Sequence, residues 1–347
     1  MITGLDRLAA AIRGEPCDRI RAFCNLIDRG AIELGLTSEE YFSRGDLVAE
    51  AQLRLRAKYG HDNVWSLFYV GKEAELLGCR KIKYALDGPP NVEDFVIRSW
   101  DDIPNLVVPE SITDHEAFAE SARCLELLRA EAGREAAVCA YITSTMTLPA
   151  LLMGMDRWLE LLFLGPQDLV ELLLEKCHEF FVKEVAAYRA GGANVLVYSN
   201  PFGSADIVPM NFFRRRSLPW IERDVAAAGT DGLVYYCGMA SLNRTMPEVL
   251  ERTGIGVWYL SPFDDITKGR EIVAGRGLTC GVINDIELID WTPEEIDHEV
   301  ARMIAAGRPG GKFLFGTGVM PRDIPERNIR AMLDAAYRHG AHEVAAA

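Results

Sequence analysis

Short apolar runs rich in β-branched and aromatic residues recur along the chain, and most are followed by a longer stretch with helical periodicity. The runs are four to eight residues long and almost continuously apolar, which is typical of strands buried on both faces. The eight predicted strands are Ile20–Leu26, Asn63–Val70, Ala137–Ile142, Asn194–Ser199, Gly232–Cys237, Gly256–Leu260, Leu278–Ile283 and Lys312–Phe315. The main predicted helices are Leu47–Lys58, Asp114–Glu131, Asp168–Ala190, Phe212–Ala228, Ser241–Arg252, Pro293–Ala306 and Pro325–Tyr337. Eight strands that alternate with helices predict an α/β fold, the (β/α)8 TIM barrel.

Two insertions interrupt this alternation, and both follow the C-terminal end of a predicted strand. Within Gly71–Thr113 we predict a hairpin with the arms Arg80–Leu86 and Asp94–Trp100. Met146–Leu164 is predicted to be a helical insertion rich in Leu and Met. Both insertions are expected to lie over the C-terminal mouth of the barrel and to narrow it. The alternative fold, a six-stranded doubly wound sheet, is disfavoured because no GxGxxG turn follows any predicted strand.

Composition and charge narrow the class of protein. The chain has 347 residues with 37 Lys+Arg and 51 Asp+Glu, a formal net charge of −14, so we expect no nucleic-acid partner. The longest uncharged stretch, Ala136–Met155, contains Pro149 and several Thr residues, so we predict no membrane span. Eight scattered cysteines and the absence of a signal-peptide pattern indicate reduced thiols and a cytoplasmic protein. Since no polar linker divides the chain, we expect a single domain over residues 1–347.

In a TIM barrel the active site lies just past the C-terminal ends of the strands, which reduces the chain to a short set of candidates. The candidates are Asn25, Tyr69, Glu73, Glu75, Tyr141, Ser199, Asn200, Tyr235, Tyr236, Cys237, Asn284, Asp285 and Thr317. Such a mixture of carboxylates, amides and hydroxyls predicts a polar mouth that suits a polar small molecule. Because side chains alternate along a strand, only one of Tyr235 and Tyr236 can face the lumen. None of the six histidines falls at a strand end, which disfavours Ser-His-Asp or Cys-His nucleophiles and a His-rich zinc site.

Seven short segments, in order along almost the whole chain, carry a family pattern. They are Asp6–Arg19, Glu73–Gly78, Pro149–Asp156, Gly191–Asn194, Tyr235–Gly238, Gly281–Asp285 and Gly316–Ile329. Together they resemble the uroporphyrinogen decarboxylase superfamily, in the branch that contains corrinoid-dependent methyltransferases. The resemblance implies a (β/α)8 barrel, in agreement with the strand pattern. Decarboxylation of uroporphyrinogen is disfavoured, because Phe23–Leu26 and Trp65–Tyr69 stand where the decarboxylases carry an RQAGRY loop and an aspartate.

The resemblance also bears on metal binding. Thiol-methylating enzymes of this branch bind zinc through the His and Cys of an HxC motif and through a later Cys. Here the three positions hold Tyr235, Cys237 and Thr317, so two of the three ligands are missing. One thiolate does not hold zinc in a four-coordinate site, and we therefore expect no metal.

The resemblance implies a methyltransferase that moves a methyl group between a corrinoid (cobalamin) and a small molecule such as a methyl ether or a thiol. We expect the corrinoid to be bound to a separate corrinoid-binding protein. The oligomeric state is left open, with a homodimer as one alternative. We expect Glu73, Glu75, Cys237 and Asp285 to be catalytic, since a carboxylic acid of raised pKa can protonate a leaving oxygen. The expected substrate-binding residues are Asn25, Tyr69, Tyr141, Ser199, Asn200, Tyr235, Tyr236, Asn284 and Thr317. Two alternatives stay open, namely a metal-free decarboxylase of a small or tetrapyrrole acid, and a non-catalytic binding barrel.

Overall fold

The computed structural model describes residues 2–85 and 88–341, and its centre is one eight-stranded parallel sheet. The strands are β1 Ala22–Asn25, β2 Asn63–Trp65, β3 Ala137–Thr143, β4 Val195–Ser199, β5 Leu233–Tyr236, β6 Val257–Tyr259, β7 Leu278–Ile283 and β8 Phe313–Val319. Their order in the sheet is β1-β8-β7-β6-β5-β4-β3-β2, and the sheet curls until β1 lies beside β2. Each predicted strand overlaps an observed one, and the predicted (β/α)8 TIM barrel is confirmed.

Helices fill the connections between the strands. The α-helices are Gly4–Arg13, Arg29–Leu34, Ser38–Phe42, Gly45–Tyr59, Lys72–Leu76, Ala119–Ala132, Leu148–Met153, Met155–Leu164, Gln167–Gly191, Met210–Phe212, Leu218–Ala228, Met246–Thr253, Ile266–Val273, Pro293–Gly307 and Glu326–His339. Short 3₁₀ segments are Trp100–Asn105, Glu116–Phe118 and Glu287–Ile289, and Phe213–Ser217 is a π-helical turn. Across the described ranges, no helix combines the length and apolar character needed to cross a bilayer.

Side chains close the barrel where β1 meets β2. The backbone N–H of Ala22 donates to Asp62 Oδ2 (2.9 Å), and the backbone N–H of Cys24 donates to Asn63 Oδ1 (2.9 Å). Asn63 Nδ2 and the indole N–H of Trp65 in turn donate to the carbonyl of Cys24 at 3.1 and 2.8 Å. Buried backbone groups need partners, and here amide, carboxylate and indole groups supply what a regular strand ladder would.

The hairpin after β2 differs in place from its prediction. Its strands are Ile82–Lys83 and Asn91–Val92, paired antiparallel, so the predicted second arm at Asp94–Trp100 is wrong. The backbone N–H groups of Arg98 and Ser99 donate to the Asp102 carboxylate instead, and the chain turns into a 3₁₀ segment. Two residues of the predicted hairpin, 86 and 87, lie outside the described ranges.

The predicted helical insertion after β3 is confirmed, but it consists of two helices that break at Gly154. Gly154 has φ +87°, a left-handed value that side chains rarely adopt, and a Cβ there would lie 3.2 Å from the ring of Phe95. Ile97 N–H donates to the carbonyl of Leu152 at 2.9 Å, so the two insertions are tied together.

The interior of the barrel is apolar at its N-terminal end and carries hydroxyl groups at its C-terminal mouth. At the N-terminal end, a cavity of about 60 Å³ is lined by apolar inward-facing side chains such as Val195, Val197 and Val234. Leu8 and Ile12 of the first helix also line it. Side chains of a strand point to the same face at every second position, so Ser199 and Tyr236 face the lumen one layer higher, at the C-terminal mouth.

Candidate active site at the barrel mouth

A cavity of about 280 Å³ opens at the C-terminal ends of the strands. Its lining residues are Phe68, Val70, Tyr141, Thr143, Thr147, Leu151, Ser199, Pro201, Phe202, Tyr236 and Val319. The walls are therefore mainly apolar, with hydroxyl groups at intervals, and none of the described residues that line the cavity has an ionisable carboxyl, amine, guanidinium or imidazole group. The predicted polar mouth is wrong in this respect, because apolar side chains come from the helix Leu148–Met153, which contains Leu151, and from the turn after β4, which contains Phe202. Strand ends alone do not reveal these residues.

The floor of this cavity is aromatic. The ring of Tyr141 stacks between Trp65 and Phe68, with centroids 5.0 and 4.6 Å away and interplanar angles of 23°. Tyr236 meets Tyr141 edge to face at 6.0 Å, and the hydroxyls of the two tyrosines interact. Asn25 Nδ2 lies 3.5 Å from the Tyr141 hydroxyl. Rings packed on several sides are held in one orientation, so their hydroxyls form a fixed polar edge beneath the apolar walls.

Asp285 lies beside this floor, just past β7. It is 6% exposed, and its Oδ1 atom has no hydrogen-bond partner among the described residues. Burial raises the pKa of the Asp285 carboxyl to about 7, and the nearby backbone N–H of Gly318 limits the rise by favouring the ionised form. A Cβ at Gly318 would lie 2.5 Å from Asp285 Oδ2 and 3.5 Å from the Tyr236 hydroxyl. The carboxyl and the phenol therefore flank the same glycine, and the carboxyl can hold a proton at neutral pH.

The two adjacent tyrosines of β5 point in opposite directions, as the alternation requires. Tyr236 lines the cavity, whereas Tyr235 faces outward and packs against Tyr198 and Trp258, with centroids 5.5 and 5.0 Å away. The Tyr235 hydroxyl accepts a hydrogen bond from Asn200 Nδ2 at 2.9 Å. Tyr235 and Asn200 are both fully buried, and in this structure they support the wall rather than line the cavity.

The three positions that correspond to zinc ligands do not fit a zinc ion. The Cys237 thiol is 1% exposed, donates to the carbonyl of Asn200 at 3.3 Å, and has its pKa raised by burial. Thr317 Oγ1 accepts from the backbone N–H of Asn25 (2.8 Å) and donates to the carbonyl of Gly318 (2.9 Å). The Tyr235 hydroxyl accepts the hydrogen bond from Asn200 Nδ2. Over residues 2–85 and 88–341, no group of three or more His, Cys, Asp or Glu side chains is placed to hold a metal. The absence of zinc stays a prediction.

The remaining candidates divide between the cavity wall and more distant positions. Glu73 lies behind the wall, where its Oε1 accepts from Thr143 Oγ1 at 2.6 Å. Glu75 accepts hydrogen bonds from the Tyr69 hydroxyl and from Lys72 Nζ (3.0 Å), in a separate network next to the hairpin. Asn284 Oδ1 accepts from two backbone N–H groups of the following turn, at 3.2 and 3.3 Å. The structure thus brings Asn25, Tyr141, Tyr236 and Asp285 together, places Ser199 and the Glu73–Thr143 pair at the wall, and separates Glu75, Tyr69 and Asn284.

Two further buried acidic residues lie near the mouth, and one of them, Glu184, is not at a strand end and was missed by the sequence reasoning. Glu184, in the helix Gln167–Gly191, is 1% exposed and lies close enough to Glu73 to repel it. Its spacing of four residues from Phe180 and from Tyr188 places it on the buried face of that helix, which was the available signal. Asp28, just past β1, is 2% exposed, and burial raises its pKa to about 7.

Comparisons with known proteins agree with this architecture. The family model for uroporphyrinogen decarboxylase (URO-D) matches residues 3–339. A methylcobamide:CoM methyltransferase, MtbA, of Methanosarcina mazei is 24% identical over 97% of this chain and 99% of its own. A uroporphyrinogen decarboxylase of Alkalilimnicola ehrlichii is 26% identical over 73% of this chain and 70% of its own. The solved structure of a methyltransferase from Methanosarcina mazei has 18% sequence identity and a TM-score of 0.82, over 97% of this chain and 98% of its own. The match over residues 3–339 shows that the chain belongs to the uroporphyrinogen decarboxylase family.

Proposed function

We propose that this protein transfers a methyl group between a small methyl ether, bound in the mouth cavity, and a corrinoid carried by a separate protein. The observation that carries the proposal is the Asp285 carboxyl, which is buried beside the cavity floor and has its pKa raised by burial to about 7. One of its oxygens has no hydrogen-bond partner in the described part of the chain. The relative named as a methylcobamide methyltransferase, which spans nearly the whole chain, supports the corrinoid as the other substrate.

The difficult part of cleaving a methyl ether is the poor leaving group, because an alkoxide or phenoxide would be released without a proton. In the proposed reaction the methyl carbon moves to the reduced corrinoid of the carrier, and the carbon–oxygen bond breaks. Its electron pair stays on the ether oxygen, which takes the proton from Asp285 Oδ1. A general acid is most effective when its pKa lies near the working pH, and burial gives Asp285 such a value.

The remaining site residues would bind and orient the ether. The apolar walls, including Leu151 and Phe202, favour an uncharged ligand and keep water away from the reacting oxygen. The hydroxyls of Tyr141 and Tyr236 lie at the floor, where they can hold the ether oxygen near Asp285. No step passes through zinc, because the residues at the zinc positions do not fit the ion.

The test follows methyl transfer from methoxybenzenes to free cob(I)alamin, by the change of its visible spectrum to that of methylcobalamin. We expect Asp285→Asn to lower the rate by about 100-fold or more, the range typical of a lost general acid. Glu287→Gln, which neutralises an exposed carboxylate two residues away, is the matched control and is expected to leave the rate unchanged.

Two outcomes would contradict the proposal. Equal rates for the wild type and Asp285→Asn would exclude the assigned acid. Release of carbon dioxide from a panel of carboxylic acids, with no methyl transfer from any donor, would instead favour the decarboxylase alternative.

A further inference from the structure

A hydroxyl group of the cavity wall donates its hydrogen bond to a buried carboxylate behind the wall. Thr143, at the end of β3, lines the cavity, and its Oγ1 donates to Glu73 Oε1 at 2.6 Å. Glu73 is 1% exposed, and its other oxygen, Oε2, has no hydrogen-bond partner within the described ranges. A hydroxyl has one hydrogen to donate and two lone pairs to accept with. With that hydrogen directed at Glu73, Thr143 can offer the cavity only an acceptor.

Thr143 donates its hydrogen to Glu73 as long as Glu73 is ionised, and the charges around Glu73 determine whether it is. Glu184 is equally buried and repels Glu73, and no described residue forms a hydrogen bond with its Oε2. Two carboxylates in one dry region do not both ionise. Burial raises the pKa of both carboxyls, but Glu73 has the Thr143 hydrogen bond and the nearby Lys72 cation, which favour its ionised form. Glu184 has neither of these among the described residues, so burial and then the repulsion from Glu73 raise its pKa well above the ordinary value.

The other groups that face this pair do not change the assignment. Tyr188 lies near both carboxyls, with Cys124 beyond it, and burial raises the pKa of both side chains, so they stay neutral. Lys72 Nζ is itself bonded to Glu75 at 3.0 Å. Glu73 is therefore the ionised member, Glu184 holds the proton, and the Thr143 hydrogen stays directed out of the cavity.

We propose that Thr143, held by Glu73, is an acceptor-only subsite of the mouth cavity that recognises an O–H or N–H donor on the ligand. This inference rests on the proposed function for the place where the ligand binds, and it names the substrate class. The apolar and aromatic walls suit an uncharged ring, and the subsite requires that the ring carry a hydrogen-bond donor, such as a phenolic hydroxyl, in addition to its methoxy group.

The test compares the binding of phenol, which has a donor, with that of anisole, which has an acceptor alone, by calorimetry on the full chain. The wild type is expected to prefer phenol. Thr143→Val is expected to weaken phenol binding about three- to tenfold, the worth of one hydrogen bond, and to leave anisole binding unchanged. Thr143→Ser keeps the hydroxyl and is expected to keep the preference. Thr230→Val, an exposed position at the opposite end of the barrel, is the matched control. An unchanged preference for phenol in Thr143→Val would overturn the proposal.

A second measurement locates the buried proton without any ligand. A neutral buried carboxylic acid gives an infrared carbonyl band distinct from that of a carboxylate. Asp28 and Asp285 also contribute to this band near neutral pH, so the spectrum of each variant is subtracted from that of the wild type. We expect a component of the band to be lost in Glu184→Gln and no component to be lost in Glu73→Gln. Loss of the band in Glu73→Gln alone would mean that Glu73 is the neutral acid, and the inference would fall.

The two proposals can fail separately because neither of these measurements needs methyl transfer. A protein that shows the Thr143-dependent preference for phenol but transfers no methyl group would keep the subsite and refute the proposed function. A protein that transfers methyl groups without that preference would refute the subsite alone.

Discussion

Replacing Asp285 by Asn is expected to stabilise the protein, by an amount that grows with pH. Asp285 is 6% exposed, and burial raises its pKa to about 7 from an ordinary value of 3.8. Because the folded-state pKa lies above the unfolded-state pKa, folding favours the protonated carboxyl. The contribution to stability is fully present below about pH 4 and is lost as the pH rises through about 7. Between pH 5 and pH 8 the two pKa values correspond to about 2–3 kcal/mol of lost unfolding free energy.

Asparagine stays neutral at every pH, so the variant should not suffer this loss. Urea unfolding of both proteins at pH 5, 6, 7 and 8 gives the difference in unfolding free energy directly. Asp28, whose pKa is also raised to about 7, contributes equally to both proteins and cancels. Glu287→Gln, at an exposed position, should show a difference that does not depend on pH. If the advantage of Asp285→Asn were the same at pH 5 as at pH 8, the assigned burial and pKa of Asp285 would be wrong.

Both ring nitrogens of His61 are buried and have no hydrogen-bond partner among the described residues, and burial lowers the pKa of His61 to about 3. Asp28 and Asp285 change stability in the opposite direction over the same pH range, so the effect of His61 is read from the difference between two proteins. Between pH 7 and pH 5, the wild type should lose about 2 kcal/mol of unfolding free energy relative to His61→Phe in urea titrations. Gly318→Ala should lower the rate of methyl transfer at least about tenfold, because the added methyl group would lie 2.5 Å from Asp285 Oδ2 and displace the carboxyl. The circular dichroism spectrum should be unchanged, and full activity would contradict this prediction. Val234→Ile should raise the unfolding free energy by about 1 kcal/mol, seen as a higher urea midpoint, because the added methylene group fills the apolar cavity of about 60 Å³. A lower midpoint would show that the cavity does not admit the added group. Elemental analysis of the purified protein should find far less than one equivalent of zinc, whereas one full equivalent would refute the expectation of no metal.

The barrel could be predicted because strands that are buried on both faces appear in the sequence as continuous apolar runs. Runs such as Ala137–Ile142 are apolar throughout, as both faces of a parallel strand are covered. The period of two also established that Tyr235 and Tyr236 diverge, although it did not say which of them faces the lumen. The hairpin was misplaced, because side-chain hydrogen bonds from Asp102, rather than strand propensity, shape residues 94–99.

The candidate site could be predicted in part for the same physical reason. Strand ends led to Asp285 and Tyr236, which do lie together at the mouth. The apolar walls depend on how the segments between the strands fold, and neither Leu151, in the helix Leu148–Met153, nor Phe202, in a turn, has a strand-end signal. Glu184 comes from the middle of a helix more than forty residues from the end of β3, and its relation to Glu73 exists in the tertiary structure alone.

The dependence of the methyl-transfer rate on pH tests the central claim most directly. Single-turnover transfer from a methoxyphenol to cob(I)alamin should be fastest below about pH 7 and should fall about tenfold per pH unit above it, because Asp285 must carry the proton that the leaving oxygen receives. Asp285→Asn should be slow at every pH, with a flat profile. A wild-type rate that stays constant or rises between pH 6 and pH 9 would contradict the account.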